Sequence, residues 1–228
     1  MPQGSILGPL LFLIFINDTP NCSDLIFFCL FADDSNLFIN ATDFDSLQNI
    51  LNKELPKVSN WILVNKLSIN FKNTYYLVFQ RSKQPCSINL KLSNHNIPQQ
   101  KCSKMLGVVI DDKLSWKDHI QHVTKKVASA VGILNKLKKS LNWEARKILY
   151  YSLIYPYLQY CNIIWGNSQP TLLSPIFIKQ KRAIRIINNA GYVDHTNPLF
   201  KNSKIVKLHD VYKLEARKFV NQQLQLQK

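Results

Sequence analysis

Two adjacent carboxylates, Asp33 and Asp34, are the residues whose type and spacing best suit chemistry. They follow a continuous apolar run at residues 25–31 and precede a second one at residues 37–39. Two carboxylates at a tight turn can present oxygens near one point, and hard cations such as Mg²⁺ prefer such ligands. A pair of these cations can clamp the attacking and leaving oxygens of a displacement at phosphorus. Asp-Asp-Ser-Asn is also ordinary turn chemistry, so the pair alone leaves both interpretations open.

The segments on either side of this pair predict the elements that position it. Two apolar runs joined by a polar turn predict a β-hairpin. Residues 10–17 are apolar on every side, which predicts a buried core helix that ends at Pro20. Residues 44–62 place apolar side chains at spacings of three and four, which predicts an amphipathic helix capped at Thr42 and interrupted or bent near Pro56.

The rest of the chain divides into a part with strands and a helical part. Short strands are predicted at residues 67–70, 75–80, 87–92 and 105–110. From Trp116 the apolar spacing becomes helical, which predicts helices near residues 116–137, 143–158 and 172–188 and one more in the tail. The fold class is therefore α+β, with a mixed part over residues 1–112 and a basic, all-helical part over residues 113–228.

The chain is strongly basic, and its charge is unevenly distributed. A total of 29 Lys and Arg against 14 Asp and Glu gives a net charge of +15, which suits binding to nucleic acid or anionic lipid. No basic residue precedes Lys53, whereas residues 53–228 carry 29 basic and eight acidic side chains. An acidic cluster in such a protein indicates a metal ion. A hydrophobic content of 46% excludes a disordered chain.

Three features of the helical part have more than one interpretation. A basic run on the third predicted helix fits contact with a nucleic-acid backbone or a solvated face; its members are Lys179, Lys181, Arg182 and Arg185. His119 and His122 share a helix face, which fits a solvated or core role better than metal binding. Five tyrosines within residues 150–160 fit core packing or stacking on bases.

Cysteine spacing and hydropathy indicate the compartment. The five cysteines lack zinc-binding spacing, which indicates reduced, buried thiols in an intracellular protein, cytoplasmic or nuclear. The apolar run at residues 6–16 has no positive segment before it and is about half the length that spans a bilayer. We therefore predict neither a signal peptide nor a transmembrane span.

The order of motifs resembles the palm of reverse transcriptases. Residues 1–9 resemble the family's motif for positioning template and base pair, and residues 31–34, Phe-Ala-Asp-Asp, resemble its metal-binding hairpin in non-long-terminal-repeat retrotransposons. Further segments resemble jockey-like elements of that group in order and spacing: residues 61 and 65–70, 105–111, 114–117, 156–158, 164–166 and 180–185. The resemblance covers nearly the whole chain and identifies it as a C-terminal palm and thumb portion.

The resemblance implies a catalytic role for the acidic pair. Asp33 would be the catalytic metal ligand and Asp34 would support it, with Mg²⁺ or Mn²⁺ as the cofactor. One metal would aid attack by the primer 3′ hydroxyl, and the other would aid departure of pyrophosphate.

The resemblance also implies where the nucleic acid binds. Gln3, Gly4 and Ser5 would line the pocket for the template and the incoming deoxynucleotide. Leu106 and Gly107 would form the turn of the primer grip. Residues 1–112 would then be a partial palm and residues 113–228 a thumb and C-terminal region, whose basic helices would track the duplex backbone.

Two departures from the family pattern bear on activity. In the family, a strand upstream of the Pro-Gln-Gly motif donates a further catalytic Asp, and fingers grip the template and nucleotide; here the first carboxylate is Asp18. The family also has a lysine three residues after the position of Asn70, where this chain has Asn73. Lys72 would point to the opposite face of a strand, so a general acid for pyrophosphate would be lost.

These observations predict an RNA-directed DNA polymerase of a retrotransposon, truncated at its N-terminus and inactive by itself. Its partners would be an RNA template, a DNA primer and deoxynucleotides, with no membrane. The alternative is a catalytically dead, basic nucleic-acid-binding relic of a mobile element.

Overall fold

A computed structural model describes residues 5–80 and 88–226, which divide into two compact units, residues 1–101 and 102–228. The first unit contains helices α1 (Leu7–Ile16) and α2 (Phe44–Val64) and strands β1 (Phe27–Phe31), β2 (Asp34–Phe38), β3 (Lys91–Leu92) and β4 (His95–Asn96). The second begins with β5 (Cys102–Met105) and β6 (Val108–Asp111). Helices follow: α3 (Lys117–Leu137), α4 (Trp143–Leu153), α5 (Tyr155–Gln159), α6 (Asn162–Trp165), α7 (Pro170–Ile187), α8 (Thr196–Ser203) and α9 (Leu208–Leu226). The mixture of helices and small sheets agrees with the α+β class.

The hairpin expected around the acidic pair is present. Strands β1 and β2 pair antiparallel, from Phe27 opposite Phe38 to Phe31 opposite Asp34. The turn between them therefore has two residues, Ala32 and Asp33. The three described sheets each contain two strands, all antiparallel.

Helix α2 contributes to the described core of the first unit. Leu51 and Leu55 on this helix lie in one apolar cluster with Ile88, Leu92 and Ile97. The helix is continuous through Pro56. Its N-cap lies one residue later than predicted, because the Asp43 carboxylate accepts the Ser46 backbone N–H at 2.8 Å while the Thr42 hydroxyl donates to Asp43.

The prediction that the first helix is a buried core helix is wrong. Within α1 only Ile16 is buried, and large apolar side chains are exposed along the rest of the helix: Leu7, Leu10, Leu11, Leu13, Ile14 and Phe15. A helix that is apolar on every side is buried only where other elements surround it. The described part of the first unit buries just the C-terminal end of α1, with one ring contact between Phe15 and Trp61.

Several of the short strands predicted in the middle of the chain are wrong. Residues 67–70 are irregular, Phe71–Asn73 form a 3₁₀ turn, and Tyr76 makes only an isolated bridge to Gln99. The strand predicted at residues 105–110 is the end of β5, a turn and β6. The prediction missed the turn within residues 105–110 because a run of apolar residues does not reveal positive φ angles.

The second unit has its own helical core. Helices α3 and α7 supply most of it, and the fully buried side chains include Val127, Tyr150, Leu158, Trp165 and Ile184. The β5–β6 hairpin belongs to this unit because β6 packs against α3. This compact unit starts at residue 102, whereas the helical part was predicted to start at residue 113. The predicted helix at 143–158 is broken at Ile154 into α4 and α5, and the tail contains two helices, α8 and α9.

A buried amide, Gln180, ties three parts of this core together. Its Nε2 donates to the Tyr150 hydroxyl at 2.8 Å and to the Val206 carbonyl at 2.9 Å. Its Oε1 accepts the Leu208 backbone N–H at 2.9 Å. All its polar atoms are thus satisfied, and the interactions fix α7 against α4 and against the start of α9.

Asp111 organises the passage from the second hairpin into α3. Its carboxylate accepts backbone N–H bonds from Lys113, Ser115 and Trp116 at 3.0–3.1 Å. Burial opposes ionisation, but these donors outweigh it and lower the pKa of Asp111. Among the described residues, no helix is both long and apolar enough to cross a membrane.

Candidate functional site

The acidic pair lies at the tip of the first hairpin. Asp33 is the second residue of the turn, and Asp34 is the first residue of β2. Ala32 has a φ of 51°, in the left-handed region, which allows the chain to reverse within two residues. Both carboxylates are exposed, and neither makes a side-chain hydrogen bond or ion pair with another described residue. Their oxygens are therefore available to a ligand.

The donor set at this turn suits a hard cation but supplies only part of a site. Two adjacent carboxylates offer oxygen ligands of the kind that Mg²⁺ takes, and Mg²⁺ commonly binds through one or two carboxylates together with substrate phosphates. Within residues 5–80 and 88–226, no group of three or more His, Cys, Asp or Glu side chains could hold a metal ion. Of the cysteines there, Cys102 is exposed and the others are half-buried free thiols, so the prediction of buried thiols is wrong.

The residues expected at the template and nucleotide pocket are only partly described. Gln3 and Gly4 lie outside the described residues, and Ser5 is half-buried just before α1. Asn73 ends the 3₁₀ turn that follows Asn70, and Lys72 is exposed beside it. The prediction that Lys72 faces away depends on a strand at this segment, and that premise is wrong because the segment is a 3₁₀ turn.

The second hairpin turns at the two residues expected in the primer grip. Leu106 and Gly107 have φ angles of 46° and 88°, so both are left-handed, which tightly closes the chain between β5 and β6. The Tyr160 hydroxyl donates to the Leu106 carbonyl. The Tyr160 ring also lies against Gly107, because a Cβ there would stand 3.4 Å from ring atom Cε1.

His119, on α3, attaches the same hairpin to that helix by a hydrogen bond with β6. The Val109 backbone N–H donates to His119 Nδ1 at 3.2 Å, so the neutral ring carries its proton on Nε2. Nε2 is buried and has no hydrogen-bond partner among the described residues, and the ring contacts Trp165 edge to face. This agrees with a core role for His119. Burial, and secondly the neighbouring His122, lower the pKa of His119.

Stability of the second unit should therefore fall in mild acid. Because the folded pKa of His119 lies below its usual 6.5, its contribution is complete above pH 6.5 and is lost as the pH falls towards the folded pKa. Urea unfolding between pH 7.5 and 5.5 should show a decreasing free energy of unfolding, with a slope of up to about 1.4 kcal/mol per pH unit for one proton.

The histidine next to it provides a control for this pH dependence. The pKa of His122 is also lowered, by burial and by Lys126, Lys104 and Lys125, so it contributes with the same sign. His119→Gln should flatten the pH dependence more than His122→Gln, because only His119 accepts the Val109 N–H. Equal slopes in wild type and His119→Gln would contradict the assignment.

The basic run lies in the C-terminal half of α7. Arg182 is exposed, whereas Lys179, Lys181 and Arg185 are half-buried. Lys181 lies over the Phe177 ring at 4.6 Å, and Arg185 Nε donates to the Asp194 carbonyl at 2.9 Å. Arg182 is therefore the member most accessible to a phosphate, and Arg185 also holds the loop after α7.

Positive charge extends over the whole second unit. Residues 102–228 carry 21 basic and seven acidic side chains, whereas residues 1–101 are nearly neutral. Lys104 on β5 and Lys125 and Lys126 on α3 are exposed and near enough to His122 to lower its pKa. A positive region therefore lies beside the second hairpin.

The residues that hold this hairpin in place were missed by the sequence patterns. Those patterns group Tyr160 with four other tyrosines as core or stacking residues, and Tyr150 is indeed buried, whereas Tyr160 is exposed. The turn that Tyr160 contacts is 54 positions away along the chain. A contact over that separation leaves no local pattern, so no spacing signal could have found it.

In comparisons with known proteins, the chain is similar to RNA-directed DNA polymerases of mobile elements. Residues 1–110 match the family described as "Reverse transcriptase (RNA-dependent DNA polymerase)". The chain is 25% identical over 96% of its length to the "RNA-directed DNA polymerase from mobile element jockey" of Drosophila funebris, and 24% identical over 96% to that of Drosophila melanogaster. It is 25% identical over 92% of its length to the "Probable RNA-directed DNA polymerase from transposon BS" of Drosophila melanogaster.

The chain spans about a quarter of the length of these curated relatives. No solved structure matches it.

Proposed function

Because this chain is homologous to RNA-directed DNA polymerases of non-long-terminal-repeat retrotransposons, we propose that it contributes palm and thumb to such a polymerase. The observation that carries the proposal is the Phe-Ala-Asp-Asp hairpin, with two unpartnered carboxylates at its tip, inside the matched region. The polymerase would extend a DNA primer on an RNA template with deoxynucleotides. Residues 1–101 would form part of the palm, and the β5–β6 hairpin with the helices after it would form the primer grip and thumb.

Asp33 and Asp34 would hold the divalent metal, Mg²⁺ or Mn²⁺. When bound, such a metal supplies charge neutralisation at the phosphate oxygens of the transferred nucleotide. In nucleotide addition the primer 3′ oxygen gives its proton to solvent and bonds to the α-phosphorus. The bond between the α-phosphorus and the bridging oxygen breaks, and pyrophosphate leaves with that electron pair. The contribution of this chain is to keep two carboxylates exposed at the tip of the hairpin, which suits a site that opens to a large polyanionic substrate.

The second unit would bind the product duplex through its backbone. A unit with a threefold excess of basic over acidic side chains attracts phosphates without reading sequence. Arg182 on α7 and the lysines around His122 offer exposed cations for this purpose. Binding of this kind fits a thumb, which must release and rebind the duplex as it lengthens.

A chimaera tests the enzymatic proposal. This chain replaces the matching quarter of the Drosophila funebris jockey polymerase, and primer extension is measured on an RNA template with deoxynucleotides and Mg²⁺. The control is the parent enzyme with its own segment reinserted at the same junctions. We expect extension by the chimaera.

Binding measured on the same chimaera separates failure to fold from failure of the proposal. A chimaera that binds primer–template with the affinity of the parent but does not extend the primer would contradict the polymerase proposal. That outcome would favour the alternative, a basic nucleic-acid-binding relic of a mobile element.

A further inference from the structure

The second hairpin, β5–β6, is held at two points by three side chains that contact one another: Tyr160, Trp165 and His119. At the turn, the Tyr160 hydroxyl donates to the Leu106 carbonyl. On β6, the Val109 N–H donates to His119 Nδ1.

Trp165 connects these two attachments. Its Nε1 donates to the Tyr160 carbonyl at 3.0 Å, and its fully buried ring contacts His119 edge to face. Two residues of the hairpin are thus fixed to the same buried tryptophan, one through Tyr160 and one through His119. A tilt of the hairpin would break at least one of the two attachments.

The backbone around Tyr160 is shaped for this contact. Cys161 has a φ of 49°, a left-handed conformation that ends α5 and begins α6. Tyr160 is left at the break between the helices, with half of its surface exposed. A residue that served only the core would be buried and would not need its hydroxyl group. Here the hydroxyl makes the hydrogen bond to the turn, and the ring lies beside Gly107, 3.4 Å from where a Cβ on that residue would stand.

We propose that Tyr160 is a positioning residue: it fixes the Leu106–Gly107 turn in the position in which this turn holds the 3′ end of the primer. This inference rests on the proposed function, because it takes the turn as the primer grip. The Leu106 side chain is exposed and does not anchor the turn, so the carbonyl bond to Tyr160 is the turn's polar attachment. Removing it should leave the unit folded but let the turn move.

The test compares the full chain with its Tyr160→Phe variant. The measured quantity is the affinity for two RNA–DNA hybrids whose base-paired parts have equal length. One hybrid has a recessed DNA 3′ end on a longer RNA, and the other is blunt. We expect wild type to prefer the recessed end and Tyr160→Phe to lose about three- to tenfold of that preference, the range for one hydrogen bond. Affinity for the blunt hybrid should stay unchanged.

Tyr157→Phe is the matched control, because Tyr157 is an exposed tyrosine three residues away whose hydroxyl bonds to no described residue. It should behave as wild type. Amide hydrogen exchange of the free protein supplies a readout that does not depend on nucleic acid: exchange at residues 105–108 should rise in Tyr160→Phe only.

The outcomes separate this inference from the function on which it rests. Unchanged exchange at the turn, an unchanged end preference in Tyr160→Phe, or an equal loss in Tyr157→Phe would each overturn the positioning role. Faster exchange at the turn, in a protein whose wild type does not distinguish recessed from blunt ends, would instead overturn the primer-grip assignment.

Discussion

Replacing Asp33 by asparagine in the jockey chimaera is expected to reduce primer extension by about a thousandfold. Asparagine keeps the size and turn propensity of the side chain but removes the charge that holds a divalent cation. Metal stabilisation of a phosphoryl transition state is worth several kcal/mol, and about 4 kcal/mol corresponds to a factor of about 10³ in rate. The measurement is single-nucleotide addition at saturating Mg²⁺, and binding of the primer–template hybrid should persist.

Asp34→Asn provides the internal comparison. Asp34 is paired in the ladder opposite Phe31, whereas Asp33 lies in the turn, so the two carboxylates leave the backbone at different points. We expect Asp34→Asn to reduce extension less than Asp33→Asn. If the Asp33→Asn chimaera extended primers as well as the unsubstituted chimaera, the hairpin would be only a turn and the metal assignment would be wrong.

The affinity of the chain for duplex nucleic acid is expected to fall about 500-fold between 50 and 200 mM monovalent salt. Contact with about five phosphates releases condensed counterions and gives a slope of log K against log salt near −4 to −5. The basic second unit motivates this expectation, and binding should be equal for unrelated sequences. Fluorescence anisotropy across a salt series measures the slope, and a flat dependence would contradict backbone binding.

Arg182 allows the nucleic-acid-binding surface to be located on the helix. Arg182→Glu should reduce the magnitude of the slope by about one for each phosphate that the variant no longer neutralises. Lys213→Glu is the matched control, because it makes the same change in net charge at an exposed position on α9, where Lys213 lies 3.6 Å from Asp210. An equal effect of both substitutions would show that net charge, rather than phosphate binding through α7, sets the affinity.

The sequence predicted correctly those elements that depend on residues close together along the chain. The turn residues between two apolar runs identified the β1–β2 hairpin, and apolar spacing identified α2, α3 and α7 within a few residues. The predicted N-cap of α2 is one position too early. Thr42 and Asp43 are both good N-cap residue types, and only the structure shows that Asp43 accepts the Ser46 N–H while Thr42 donates to Asp43.

Features that depend on distant partners could not be read from the sequence. The apolar pattern of α1 predicted burial, but burial depends on what surrounds the helix. The turn at Leu106–Gly107 was expected from a family resemblance alone, because an apolar run does not reveal positive φ angles. Its attachment to Tyr160 depends on the break between α5 and α6, which follows from the left-handed Cys161. The metal role of Asp33 remains a prediction.

The exposed apolar surface of α1 also matters while the chain is being made. Residues 17–226, which contain the rest of the described fold, are made after α1, and at about 5–20 residues per second their synthesis takes roughly 10–40 s. During that time the later elements of the described fold are not yet available to α1, and the completed fold still buries only Ile16 of this helix. Chaperones that bind short apolar segments therefore have both a long interval and a lasting target. We expect the yield of this chain in cells to depend on their supply.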